Sequence, residues 1–260
     1  MDIITEIFVF AFGSIVGSFL NVIILRYNTG RGINGRSFCF SCGALIRWFS
    51  LIPVLSFLVQ GGKCRECKSK ISWQYPSVEL LTGLVFLFIF WKFGFDSLLP
   101  FYLFISSLLI IISVYDFKHK IIPDGVVYLL IASAFVNLCY QYLFLGDGSA
   151  LWSLVVGTVM ALFLGGLWFF SGGTWMGFGD AKLILALGWL LPPCLGVSAF
   201  IFAFWIGAVV GIALTFFAKA RMTSEIPFAP FLIIGFFVAL LLNINFLYLP
   251  GASCLIGFNF

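Results

Sequence analysis

Asp116 and Asp180 are the residues of this sequence best placed to do chemistry. Asp116 closes an apolar run in Ser-Val-Tyr-Asp-Phe-Lys, and Asp180 opens another in Trp-Met-Gly-Phe-Gly-Asp-Ala-Lys-Leu. Acids beside membrane-length apolar runs are costly and mark function. Hydrolysis of an amide without a metal or covalent intermediate needs a base to activate water and an acid to protonate the carbonyl oxygen or leaving amine. Two carboxylates sharing one proton supply both. A helix start favours negative charge and a helix end disfavours it. Position alone therefore casts Asp180 as the base and Asp116 as the acid, in a pair that titrates as a unit. Gly177 and Gly179 would let a substrate backbone come close. Asp180 also fits a plain helix cap, whereas a purely structural acid at the end of a helix has the wrong sign. Asp124, following Pro123, reads as a helix N-cap, and Glu79 and Glu225 can pair with neighbouring bases.

The second constellation is Cys39-Phe-Ser-Cys42 and Cys64-Arg-Glu-Cys67. Each CxxC lets two thiolates face one ion from a tight turn, and two such turns complete a tetrahedron. Gly43 permits the sharp turn after the first pair. The 21 residues between the pairs slightly exceed the usual zinc-ribbon spacing. A structural zinc is the expected occupant, since four cysteine ligands close the coordination sphere. A redox CxxC, a disulfide and plain packing thiols are the competing readings. Cys139, Cys194 and Cys254 receive no role.

The elements that position these groups follow from composition. The chain is 62% hydrophobic and 9% charged with a mean hydropathy of +1.16, against about 25% charge in a soluble domain. Lipid must be its main solvent. A span needs roughly 20 apolar residues, and eight stretches qualify: 3–25, 78–95, 97–115, 124–145, 150–170, 180–195, 197–218 and 228–249. The sixth is short and ends at Pro192-Pro193. The first lacks a basic n-region and reads as a retained helix, not a cleaved signal. The expected fold is an all-α polytopic membrane protein of about eight transmembrane helices with one small cytosolic zinc-knuckle-like loop domain. It divides into a first span (1–25), a Cys-rich loop (26–76) and a seven-helix part (77–260).

Charge sets the orientation. Arg26, Arg31, Arg36, Arg47, Lys63, Arg65, Lys68 and Lys70 lie between the first two spans, with Glu66 the one acid among them. Lys118, Lys120, Lys182, Lys219 and Arg221 fall at later loops of the same side, so thirteen of the fourteen bases share it. That side is cytosolic, and the N-terminus is outside. A basic inner face matched to anionic membrane lipids accounts for the net charge of +4, with no call for nucleic acid. Apolar segment 48–59, too short to span and containing Pro53, should lie in the interface or pack under the loop. No internal repeat is evident, and Gly165-Gly166, Gly172-Gly173 and Gly207-x-x-x-Gly211 suit close helix packing.

Asp-Phe-Lys-His-Lys-Ile-Ile-Pro-Asp at 116–124 with Gly-Phe-Gly-Asp at 177–180 resembles the prepilin peptidases, bacterial GxGD-type intramembrane aspartyl proteases. Gly17-Ser-Phe-Leu-Asn-Val, the two CxxC pairs, Tyr75-Pro-Ser-Val-Glu-Leu-Leu-Thr82 and Ile226-Pro-Phe-Ala-Pro-Phe231 extend the likeness over nearly the whole chain. The resemblance implies Asp116 and Asp180 as the catalytic pair. Gly177, Gly179, Lys182, Pro123 and Asp124 become motif residues that position substrate. It further implies cleavage of the basic leader of type IV prepilins or pseudopilins at the cytosolic face of the bacterial inner membrane. Many members then methylate the new N-terminus with S-adenosylmethionine. No glycine-rich Rossmann turn is present, so a cofactor pocket would form between the loop and the helices, with Glu79 beside it. Phe40 stands where the first CxxC often has proline, and Ala229 where glycine is frequent. Rival functions are an ion or proton transporter, which predicts acids at mid-span, a membrane thiol oxidoreductase built on the cysteines, and a peptidase without methylation.

Overall fold

The structure, a computed structural model, describes residues 2–30, 32, 35, 37–217 and 227–244. Glu225, Lys219, Arg221, Cys254, Arg31, Arg36 and Ile226 lie outside the described residues. The chain forms two compact units, 1–114 and 115–260.

The first unit opens with α1 (Ile3–Arg26). The Cys-rich segment follows, with a 3-10 turn (Trp48–Leu51) and the short α2 (Leu55–Val59). It continues into α3 (Gln74–Phe93) and most of α4 (Leu99–His119). The remainder of α4 begins the second unit, with α5 (Asp124–Leu143), α6 (Ser149–Ser171), α7 (Phe178–Leu190), α8 (Pro193–Phe217) and α9 (Ala229–Leu242). Among the described residues, two isolated antiparallel bridges, Phe38 with Leu45 and Lys63 with Lys70, are the only extended pairing.

The eight apolar helices appear in the expected order. Six of them, α1, α3, α4, α5, α6 and α8, are long and apolar enough to cross a membrane. The expected short sixth span is α7, at 13 residues about 20 Å long, and it ends before Pro192. Its shortness is compatible with its place. Asp180, Ala181, Leu183, Ile184, Ala186, Leu187, Gly188 and Leu190 are all buried, and α5, α6, α8 and α9 each pack on it. A helix apolar all round is stable only when so enclosed.

Of the glycines expected in close packing, Gly165 and Gly207 meet a neighbouring helix, with Cβ positions 3.9 Å from Ala181 and 3.5 Å from Phe231. Gly172 and Gly173 sit in left-handed turn conformations after α6, and Gly166 and Gly211 face open space. The tight crossings are elsewhere. A Cβ on Gly13 would lie 2.9 Å from Gly83 and Phe86, which brings α1 onto α3, and one on Gly188 would lie 2.5 Å from Gly157 Cα, which brings α7 onto α6. In α9, Gly235 meets the Ala199 carbonyl of α8 just as closely. Sequence spacing singled out pairs of glycines, whereas the packing uses single ones whose register depends on the partner helix.

Candidate active site

Within the second unit, Asp116 and Asp180 are buried, 5% and 7% exposed. They are within electrostatic reach of each other. Gly177 is the extended N-cap of α7, and Asp180 is its third residue. The Asp180 carboxylate reaches back to accept the Gly177 N–H, as the acid of a capping box does. Asp116 lies three residues before the end of α4, and its carboxylate accepts the N–H of Ala229, the first residue of α9. Each aspartate is thus held by a backbone donor at a helix start, where negative charge is favoured. The helix-end contrast that assigned base to Asp180 and acid to Asp116 does not operate here, because α9 supplies Asp116 with what the end of α4 lacks. Beyond these bonds, Asp116 Oδ2 and Asp180 Oδ1 are buried without a hydrogen-bond partner among the described residues.

The neighbouring motif residues take definite positions. Pro123, buried, is the N-cap of α5, and its carbonyl accepts the N–H groups of Val126 and Val127. Asp124 is therefore the first helical residue and makes no cap bond, contrary to the N-cap reading. Its carboxylate pairs instead with the Lys182 ammonium. That ammonium also lies 5.2 Å from the ring centre of Tyr128 and 5.3 Å from that of Phe178. The pair ties the start of α5 to the start of α7, two residues from Asp180. Gly179 does not keep room for a substrate strand. A Cβ there would lie 2.9 Å from Ile122 Cβ, so the space belongs to the chain's own packing. Gly177 is exposed and its Cβ position is 3.5 Å from Asp180 Oδ2, so a strand can still approach there.

In the first unit, the four sulfurs of Cys39, Cys42, Cys64 and Cys67 lie within 4.8 Å of one another, with Cys39 and Cys67 Sγ 3.9 Å apart. Thiolates about 2.3 Å from a tetrahedral zinc stand about 3.8 Å apart, so the cluster fits that ion. The two turns repeat one backbone pattern. Cys39 N–H donates to Ala44 and Gly43 N–H to Cys39; Cys64 N–H donates to Ser69 and Lys68 N–H to Cys64. Gly43 and Lys68 share a positive φ, +74° and +59°. Lys68 was missed because a lysine does not advertise a left-handed turn; the signal was its place directly after the second cysteine. Backbone N–H groups of Cys42 and Ser41 bring the Cys39 thiol down to about 6, and the Ser69 hydroxyl lowers that of Cys67. These are thiols predisposed to the metal-binding thiolate form.

Glu79 is buried between α1 and α3. Its Oε2 accepts the Val54 N–H at 2.8 Å, and Ser18 also bonds it.

Residues 11–93 match the model of the bacterial peptidase A24 N-terminal domain, and residues 103–212 that of the type IV leader peptidase family. The prepilin leader peptidase/N-methyltransferase of Stutzerimonas stutzeri is 34% identical over 88% of each chain. The protein of the same name from Bacillus subtilis (strain 168) is 34% identical over 89% of this chain and 92% of its own. That from Legionella pneumophila is 36% identical over 79% and 71%. No solved structure matches the chain. Two family models in tandem and relatives matched along most of their length agree with the motif order, and the chain belongs to the type IV leader peptidase family.

Proposed function

We propose that the chain cuts the leader from type IV prepilins or pseudopilins with Asp116 and Asp180 as its aspartyl pair, then methylates the new N-terminus. The carrying observation is the pair of buried carboxylates, each anchored through a helix-start N–H and each with one oxygen unpartnered among the described residues. A water between those oxygens gives a proton to the ionised carboxylate as it attacks the scissile carbonyl, and the protonated partner donates to the carbonyl oxygen. Gly177 offers the open backbone edge beside Asp180. Pro123, Asp124 and Lys182 position the two helix starts.

The basic loops support a multi-pass orientation in the inner membrane with the N-terminus outside and the active site at the cytosolic face. Cys194, at the turn between α7 and α8, is disulfide-bonded, which suits the oxidising outer side, while Cys39, Cys42, Cys64 and Cys67 are free thiols. In this reading 1–25 is the first span, 26–76 the cytosolic module and 77–260 the protease part.

Cys39, Cys42, Cys64 and Cys67 would hold a structural zinc, which supplies a closed cross-link and no open coordination position. Glu79 does not fit as a ligand for S-adenosylmethionine: it is 7% exposed and its carboxylate is committed to Val54 and Ser18. The methyl transfer rests on the activity for which the relatives are named.

Co-expression with a prepilin from the same genome tests the proposal. Wild type should release the leader, and Asp116→Asn and Asp180→Asn should each leave it attached; processing by both variants would sink the aspartyl pair. Mass spectrometry of the trimmed pilin should show one added methyl group, and its absence would leave a peptidase alone.

A further inference from the structure

The Cys-rich segment carries an apolar face that is exposed among the described residues of its unit. Trp48, Leu55, Leu58 and Val59 are 77%, 62%, 64% and 78% exposed. Phe57, on the opposite side of α2, is buried and packs on Trp73 with ring centres 4.9 Å apart. The segment therefore has an inner face that holds it in place and an outer face of large apolar side chains. An exposed patch of this kind marks an interaction surface.

Its height relative to the spans is fixed by Glu79. That residue is the sixth of α3, about 7.5 Å along the axis from Gln74, and its side chain leans back toward the helix start. The Val54 N–H that it accepts at 2.8 Å thus lies alongside the first two turns of a membrane-spanning helix. Val54 takes φ +60° and ψ −53°, and Leu55 N–H donates to the Pro53 carbonyl. This is the strained γ-turn, rare for any residue and rarer for a β-branched one. Such strain persists only where the surroundings over-determine it, and here the buried carboxylate does so.

A basic rim completes the surface. Arg47, Lys63, Arg65, Lys68 and Lys70 are all exposed around segment 48–59, with Glu66 the one acid among them. Arg65 stacks over Phe49 at 4.8 Å. Lys63, Arg65 and Lys68 line a shallow hollow that Val59 borders. Exposed apolar side chains beside exposed bases, at the level where a span enters the membrane, match the acyl boundary and the anionic headgroups.

We infer that segment 48–59 is an in-plane anchor docked on anionic phospholipid, fastened to α3 by the Glu79–Val54 hydrogen bond. Glu79 is thereby a positioning residue for the cysteine module. The cytosolic side comes from the orientation proposed above; the docking does not depend on it.

Hydrogen–deuterium exchange of the full chain in nanodiscs tests this, with phosphatidylcholine alone against its mixture with phosphatidylglycerol. Exchange over 48–59 should slow by about fivefold in the anionic discs, the effect of roughly one base attracted to such a surface. Arg47→Gln/Lys63→Gln/Lys70→Gln should abolish that difference and leave α3 unchanged. Glu79→Ala should speed exchange at Val54 and its neighbours in both lipids, whereas Glu79→Gln, whose amide oxygen still accepts the N–H, should keep most of the protection. If Glu79→Ala misfolds, the triple variant and Glu79→Gln decide alone. Equal exchange in the two lipids overturns the inference. So does full protection in detergent, which would mean that the chain itself covers the face. Thiol labelling in spheroplasts reports the side separately, so an inverted orientation would be recognised without touching the docking result.

Discussion

At the residue scale, the Asp116 carboxylate is held by the Ala229 N–H, over a hundred residues along the chain, a contact that no local pattern announces. In the proposed mechanism one proton shared by the two carboxylates is the working state, and the pair would titrate as a unit. Cleavage should fall on the acid side, where both carboxyls are protonated and no base remains. It should fall again on the alkaline side, where both are ionised and no acid remains. Initial rates of leader release across pH read this, and a rate that only rises with pH would point to a single base. Within the optimum, Asp116→Asn or Asp180→Asn should cost about 10²–10⁴-fold, the scale of lost acid–base catalysis. Asp124 shows the same limit of local reading. Its place after proline fitted a cap, yet its partner is Lys182. Asp124 is 63% exposed, so a double-mutant cycle of Asp124→Asn with Lys182→Gln should give a coupling of only about 0.2–1 kcal/mol in stability. If the pair positions α7, turnover of both variants should fall while thermal stability barely moves. Equal and small losses in both would reduce it to a surface ion pair.

At the scale of elements, hydropathy located the start of each helix to within about four residues but ran past the ends of α7 and α9, at Leu190 and Leu242. It could not show which face of a helix meets which neighbour. The central position of α7 and its crossing with α6 at Gly188 and Gly157 depend on shape, which composition does not encode. Gly188→Ala places a methyl against the Gly157 backbone, which cannot rotate away. It should destabilise by about 1–3 kcal/mol, the range for overpacking, and lower the thermal midpoint in detergent. An unchanged midpoint would mean that α6 gives way freely. The cysteine module was legible as ligands and hidden as geometry: CxxC spacing found the four sulfurs, while the shared backbone pattern of the two turns emerged only in three dimensions. Metal analysis should find about one zinc per chain, the content of one four-cysteine site. Chelation should open residues 37–73 to protease, more readily at acid pH because protons compete with zinc for the thiolates. Cys64→Ser should do the same without chelator. A module equally resistant with and without metal would mean that packing alone holds it.

For the whole molecule, the partition of charge does what pairwise contacts cannot. Thirteen of fourteen bases fall on one predicted side, and the proposed orientation of the helix ends rests on this. In the orientation proposed above, Asp116 and Asp180 belong to cytosolic helix ends and the turn at Gly146 to the opposite side. A cysteine introduced at Gly146 should therefore react with a membrane-impermeant maleimide in intact spheroplasts. One at Gly173 should react only after lysis. Both glycines are turn residues with open space or a movable ring beside them, so the cost of substitution is the roughly 1–2 kcal/mol that their positive φ imposes. Labelling at Gly173 from outside would invert the molecule and place its aspartates where no cytosolic leader could reach them. Labelling at Gly146 alone would fix α6 as a full crossing, and with it the side from which Gly177 presents its open edge to a substrate.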